Sequence, residues 1–470
     1  MLQNDLSADP TRPTRLLALL TVIALVATGT VTRSSPHAES ADVGIMSTSM
    51  VEMLGDESEG TPLTLEYVRK IAQAYVGRDI DGSGIDVALI DTGVAPVDGL
   101  DGQDKVLHGP DLSFEGASPE AAFLDTYGHG THMAGIIAGE RSGHEGVATG
   151  ARLISIKTAG HDGVTTVPQV VAAIDWVVEH RNTDGLNIRV LNLSLGLGGV
   201  EDHRGDLLSA AVERAWDAGI FVVVAAGNDG LSQKHLDSPA VDPYVLAVGG
   251  YDFFNQDVPA WSANGNGLRN PDVISPARSI ASYRVPGSTV DTEVPSARHG
   301  EDLFLGSGTS QAAAAASGLA ALILQAQPKL SPDQLKATLS RTARDLMDGK
   351  DRDGQGVVNG RNAEYQLDIN DAEQNYEPAA GPGTGIIAPS GATWTGGEWS
   401  GATWTGATWT GATWTGATWT GATWTGATWT GATWTGATWT GATWTGATWT
   451  GATWKGATWT GATWTGEGWS

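Results

Sequence analysis

The sequence predicts an α/β body with a mostly parallel central sheet and helices on both faces, followed by a repeat tail of short β-strands or disordered chain. Two observations carry this. From about Thr61, short runs rich in Val and Ile alternate with segments of helical periodicity. That alternation of strand and helix is the pattern of a parallel sheet covered on both faces. Sixteen of the 19 tryptophans recur every five residues from Trp394 to Trp469, while only Trp176, Trp216 and Trp261 precede them.

Taken in chain order, Arg12 and Arg15 precede an almost unbroken apolar stretch over residues 16–31 and a polar segment from Thr32 to Ala38. This is the layout of a secretory signal, and the stretch falls short of the roughly 20 residues that span a bilayer. Residues 1–38 are therefore expected to be a signal peptide, or an N-terminal anchor if retained, and residues 39–61 a short N-terminal or pro segment. No other stretch before the tail spans a membrane, so the rest is expected to be exported as a soluble body.

The body covers residues 62–370, with strands expected at 85–90, 153–156, 188–193, 221–225 and 244–248. Between them, Val170, Ile174, Val177 and Val178 share one helix face, and a second helix over 207–218 stops at Gly219. Ser331, Pro332 and Asp333 supply an N-cap, a first-turn proline and a first-turn acid for a closing helix through about Ala343. Residues 371–390, rich in Pro and Gly, read as a linker, and 391–470 as the tail of Gly-Ala-Thr-Trp-Thr repeats.

Composition removes several classes of function. The net charge of 27 − 53 = −26 disfavours nucleic acid and anionic membrane surfaces, which reward clusters of Lys and Arg. The absence of cysteine removes disulfides, thiol nucleophiles, thiolate zinc sites and iron–sulfur clusters.

Four polar segments then interrupt the apolar background. Asp91-Thr92-Gly93 ends the first strand, where a carboxylate can orient an imidazole; alone it is ordinary turn chemistry. Gly128-His129-Gly130-Thr131-His132 places histidines at the start of a helix. Without the Glu of a zinc-binding helix motif or a third ligand at metalloprotease spacing, His129 carries the functional reading and His132 a structural one. Gly308-Thr309-Ser310 presents a serine at a helix start, where N–H groups stabilise negative charge, although a plain N-cap would look the same. Ala226-Gly227-Asn228 runs from a buried strand to an amide able to donate to an oxyanion or to occupy a turn. Ser194-Leu195-Gly196, after another strand, offers an edge to which a peptide could pair.

In this order and wording the segments resemble the subtilisin-like serine peptidases (subtilases, peptidase family S8), over about residues 62–370. Gly356-Val357-Val358-Asn359 is similar to the segment that closes the family's domain. The resemblance implies a subtilisin-like fold and an acyl-enzyme endopeptidase with Asp91, His129 and Ser310 as its triad. Asn228 and the Ser310 N–H would form its oxyanion hole. Ser194, Leu195, Gly196, Ala225, Ala226 and Gly227 would bind substrate, and their small size predicts a broad apolar preference for the residue before the scissile bond. No cofactor is implied for the chemistry. Structural calcium is common in the family; the acidic run 348–354 has oxygen ligands but breaks EF-hand spacing and reads as a solvated turn, so no metal ligand set is assigned. The chain departs from the family pattern at Gln311, where Met is usual, and at Ala314, where Pro is usual.

Expected partners are therefore protein or peptide substrates, with no nucleic acid and no membrane span unless the signal is retained. The expected location is extracellular, free or held at the cell envelope. The tail has regular aromatics and few charges, Lys455 and Glu467 among them, which suits stacking on cell-wall glycan or self-association. The rival reading is a surface or cell-wall binding protein working through the tail, with an inactive peptidase scaffold.

Overall fold

In the computed structural model, residues 61–364 are described except for 78, 119, 199, 201, 231–234, 266–268 and 347–349. Residues 372–379 are described as well, and so is the backbone of the strand Ile45–Ser47 and of short strands between 387 and 465. The signal-like segment lies outside the described residues, as does half of the linker.

The chain forms β1 (Asp86–Asp91), β2 (Val106–Asp111), α1 (His129–Ala138), β3 (Arg152–Lys157), α2 (Val167–His180), β4 (Ile188–Leu193) and α3 (Leu207–Asp217). It continues through β5 (Phe221–Ala225), β6 (Leu246–Tyr251), β7 (Val273–Pro276), β8 (Ile280–Tyr283), β9 (Leu303–Gly306), α4 (Thr309–Ala326) and α5 (Pro332–Thr342). Seven of the strands make one sheet in the order β7-β6-β5-β4-β1-β3-β2, with every neighbouring pair parallel. Every residue of β1 and β5 is buried, as strands covered on both faces must be.

The order sets the site's position. β1 has β3 on one side and β4 on the other, so the winding reverses direction beside β1. Crevices open at the carboxyl ends of strands at such a reversal, and β1 ends in Asp91.

Local chemistry explains the helix ends. Thr166 and Gln169 form a capping box for α2, and Ser331 and Gln334 form one for α5, whose N1 residue is Pro332. In α2, Val170, Ile174 and Val177 are buried, the apolar face expected. After α3, Gly219 turns the chain at φ 80°. The central helix α4 is buried from Thr309 to Leu324 and packs against α1 and β4 to β7; the run Ala312–Ala316 lets it lie close to the sheet.

Three strands differ from expectation, each for a local reason. β6 starts at Leu246, two residues late, because Asp242 Oδ1 accepts from the Tyr244 N–H at 2.8 Å and holds a turn there. β2 and β7 were unexpected because they contain Pro110 and Pro276, which a sheet tolerates at its edges, and these are the edge strands. Gly356–Asn359 then covers β7: Ile274 N–H donates to Gly356 O (2.9 Å) and Val358 N–H to Ile274 O (3.0 Å).

A second sheet joins β8 and β9 antiparallel, with Leu63–Thr64 and Arg298–His299 at its edges. The strand Ile45–Ser47, in the expected pro segment, pairs antiparallel with Val164–Thr166. In the tail, each three-residue strand pairs in parallel with the strand 20 residues on, so that Trp404 stands opposite Trp424; four such sheets of four strands result. The tail's side chains, on which the glycan and self-association expectations depend, lie outside the described residues.

Candidate active site

The expected chemistry converges where β1, β4 and β5 end and α1 and α4 begin. Asp91 closes β1 with its side chain 1% exposed, and Oδ1 accepts from the Thr92 N–H at 2.8 Å. His129 opens α1, wholly buried, with Nδ1 2.8 Å from Asp91 Oδ1 and 3.0 Å from Oδ2. A carboxylate only accepts, so Nδ1 carries a proton, and in the neutral imidazole Nε2 is then the nitrogen with the lone pair. Nε2 has no partner among the described residues.

Ser310 is the second residue of α4 and 7% exposed. Its Oγ donates to Ser194 O at 3.2 Å, and Ser194 Oγ lies 3.0 Å from Ser310 O and 2.9 Å from Asn192 Oδ1. The structure thus joins Asp91 to His129 and Ser310 to the Ser194 segment; the serine hydroxyl donates to Ser194 O and makes no hydrogen bond to the imidazole.

Asn228 follows β5. Its Oδ1 accepts from Thr309 N–H at 2.9 Å and Thr309 Oγ1 at 3.0 Å. A backbone N–H can only donate, so the oxygen faces Thr309 and the NH2 group is the end left to donate elsewhere. Gly227 N–H donates to Thr309 Oγ1 at 3.2 Å, tying this wall to the serine helix.

Several supporting residues were not picked out from sequence. Asp125 is buried beneath the first turn of α1: Oδ1 accepts from Gly128 N–H (2.6 Å) and Thr92 Oγ1 (2.8 Å), and Oδ2 from Thr131 N–H (2.7 Å). Thr92 Oγ1 in turn accepts from Gly130 N–H at 2.9 Å, so one carboxylate fastens the end of β1 to the start of α1. Burial pushes the Asp125 carboxyl up, and these donors oppose it. An acid followed within four residues by a glycine-flanked histidine was the available signal.

His132 has the structural role expected of it. Burial, then the neighbouring His129, push it down to about 3, and its Nε2 lies 3.1 Å from Phe304 O and 3.3 Å from Ile280 O, pinning α1 to the second sheet. Gln311, the departure noted after Ser310, is fully buried, and neither polar atom of its amide has a partner among the described residues. Ala314 is buried as well.

The expected substrate walls, Ser194–Gly196 and Ala225–Gly227, are small and mostly apolar, but a third segment closes between them. Leu197 and Ser238 exchange backbone hydrogen bonds at 2.9 Å in both directions, and Asp237 N–H donates to Ala226 O at 3.0 Å. This brings the Asp237 carboxylate against both glycines: a Cβ at Gly227 would stand 2.6 Å from Oδ2, and one at Gly196 2.8 Å from it. Burial, then the Asp229 charge, push Asp237 up to about 7.

Among the described residues, no three His, Cys, Asp or Glu side chains gather as a metal site. Of the acidic run named for calcium, residues 348 and 349 lie outside the described residues.

The Subtilase family model matches residues 82–359. The chain belongs to the subtilase family. It is 34% identical over 306 residues to "Serine protease AprX" of Bacillus subtilis (strain 168), covering 61% of this chain and 67% of the relative. It is 34% identical over 282 residues to "Subtilisin DY" of Bacillus licheniformis, covering 59% and 90% respectively. A third relative, "Minor extracellular protease Epr" of Bacillus subtilis (strain 168), is 29% identical over 287 residues, 59% of this chain and 38% of its own length. With this membership the chain is a serine-type endopeptidase acting on protein or peptide substrates, on a mostly parallel α/β fold.

Proposed function

We propose that the protein hydrolyses peptide bonds through an acyl-enzyme on Ser310, with His129 as general base and then general acid, and Asp91 as its orienting carboxylate. The observation that carries this is the wholly buried imidazole held by both Asp91 oxygens with an unpartnered Nε2. A neutral imidazole fixed in that tautomer can accept a proton at the atom that faces away from Asp91.

The Ser310 hydroxyl leaves Ser194 O, gives its proton to His129 Nε2, and its oxygen adds to the substrate carbonyl carbon. The resulting oxyanion takes hydrogen bonds from Asn228 Nδ2 and from Ser310 N–H, at the positive end of α4. His129 returns the proton to the departing amine as the C–N bond breaks. Water then attacks the ester, again through His129, and frees Ser310. The strand-like 194–196 segment, once its Ser194 carbonyl is released, can pair with substrate backbone.

Export fits the same reading. The basic and apolar N-terminal sequence has the order of a secretory signal, and one relative is named as extracellular. No helix among the described residues is long and apolar enough to cross a membrane.

Steady-state hydrolysis of a peptide anilide by the full chain tests the triad. Ser310→Ala and His129→Ala should each lower kcat by on the order of 10⁴-fold or more, with circular dichroism unchanged. Folded variants that retain activity within about tenfold of the wild type would place the nucleophile or base elsewhere.

A further inference from the structure

The third wall of the substrate pocket carries a charge that the first two do not. Among the described residues, no hydrogen bond or ion pair reaches the side-chain oxygens of Asp237, in contrast to Asp91 with its imidazole and Asp125 with its three donors. Yet Asp237 is lodged between Gly196 and Gly227, and Gly227 adjoins Asn228, whose amide is bonded to the residue before Ser310. A partly desolvated carboxylate without a donor is destabilising by itself, and the exposed Asp229 carboxylate adds a like charge.

A cationic guest relieves both costs. We propose that Asp237 makes this peptidase selective for Lys or Arg as the residue on the acyl side of the scissile bond. The reading rests on the proposed triad and deepens it. The long methylene stem of such a side chain suits the glycine and alanine walls, and its head group supplies the donors that Asp237 lacks. The charge of −26 favours encounter with basic segments of a protein substrate. The broad apolar preference expected from the two small walls is therefore replaced by a basic one, because the residue that decides it lies on a third segment.

The test uses the full chain and four peptide anilides that differ only in the residue before the scissile bond: Arg, Lys, Leu and Glu. A charge-assisted hydrogen bond in a partly buried pocket predicts kcat/KM for Arg or Lys at least about tenfold above Leu. In Asp237→Asn the Arg-to-Leu ratio should fall to about one, and in Asp237→Lys the Glu substrate should overtake Arg. Benzamidine, a small cation, should slow fluorophosphonate labelling of the wild type and not of Asp237→Asn. A chain that takes no fluorophosphonate overturns the triad reading and this one with it. A labelled wild type that cleaves after Leu as fast as after Arg, or an Asp237→Asn variant that keeps the preference, overturns the pocket reading alone.

Discussion

Gly130→Ala probes how closely the two halves of the candidate dyad are fitted together. A Cβ at position 130 would fall 2.1 Å from Gly93 O and 3.2 Å from Asp91 Oδ1. A contact of about 3.0 Å to Gly93 O requires the start of α1 and the end of β1 to part by about 0.9 Å. The His129 Nδ1–Asp91 Oδ1 bond of 2.8 Å crosses the same gap, and opening it by that amount leaves no hydrogen bond. A displacement of about 1 Å at a reacting group costs on the order of 10² in rate, while overpacking costs about 1–3 kcal/mol in stability. Peptide-anilide kinetics should therefore show kcat about 10²-fold down, and thermal unfolding a lowered but still cooperative Tm. A folded variant with kcat within twofold of wild type would refute the reasoning, since the imidazole would then tolerate loss of its fixed register.

Three further outcomes follow from the same geometry. Asn228→Ala removes the proposed oxyanion donor and the acceptor of Thr309, and should lower kcat by about 10²–10³ with KM little changed, a range taken from a related subtilisin; a change confined to KM would count against the role. Gln311→Met replaces two unpartnered buried polar atoms with a thioether of similar length and should raise stability by about 1–3 kcal/mol, read as a higher Tm; a lower Tm would mean that the amide is satisfied in solution. Burial pushes Glu115 up, but hydrogen bonds from Lys157, Thr126 and the His161 N–H outweigh it and hold the carboxyl at about 2, below its ordinary 4.5. Its folded value is depressed, so its stabilisation is full above pH 4.5 and disappears as pH falls toward 2: Glu115→Gln should be less stable than wild type at pH 7, and the difference should close over that acid range in urea titrations.

The parts of the molecule legible in sequence are those written in contiguous residues. Short runs rich in Val, Ile and Leu located β1, β3, β4 and β5, since strands buried on both faces favour β-branched and other apolar side chains. Asp91, His129, Asn228 and Ser310 were legible because each stands where an apolar element gives way to glycine and polar residues. What was missed depends on pairing across the fold. β2 and β7 are masked by edge prolines. Asp125 reads as loop chemistry until its three donors are seen converging on it. Asp237 reaches the pocket only through the backbone pairing of Leu197 with Ser238 and through its own N–H to Ala226, contacts that no spacing along the chain reveals. Two small walls therefore pointed to an apolar pocket, whereas the proposed basic preference rests on Asp237 of a third segment.

The central claim is that Ser310 is the activated nucleophile, and the most direct measurement is to find where a fluorophosphonate attaches. Peptide mapping by mass spectrometry of the labelled full chain should show a single adduct on Ser310, absent when His129→Ala is treated in the same way. An adduct on another serine, or none on a folded and processed wild-type chain, would contradict the account.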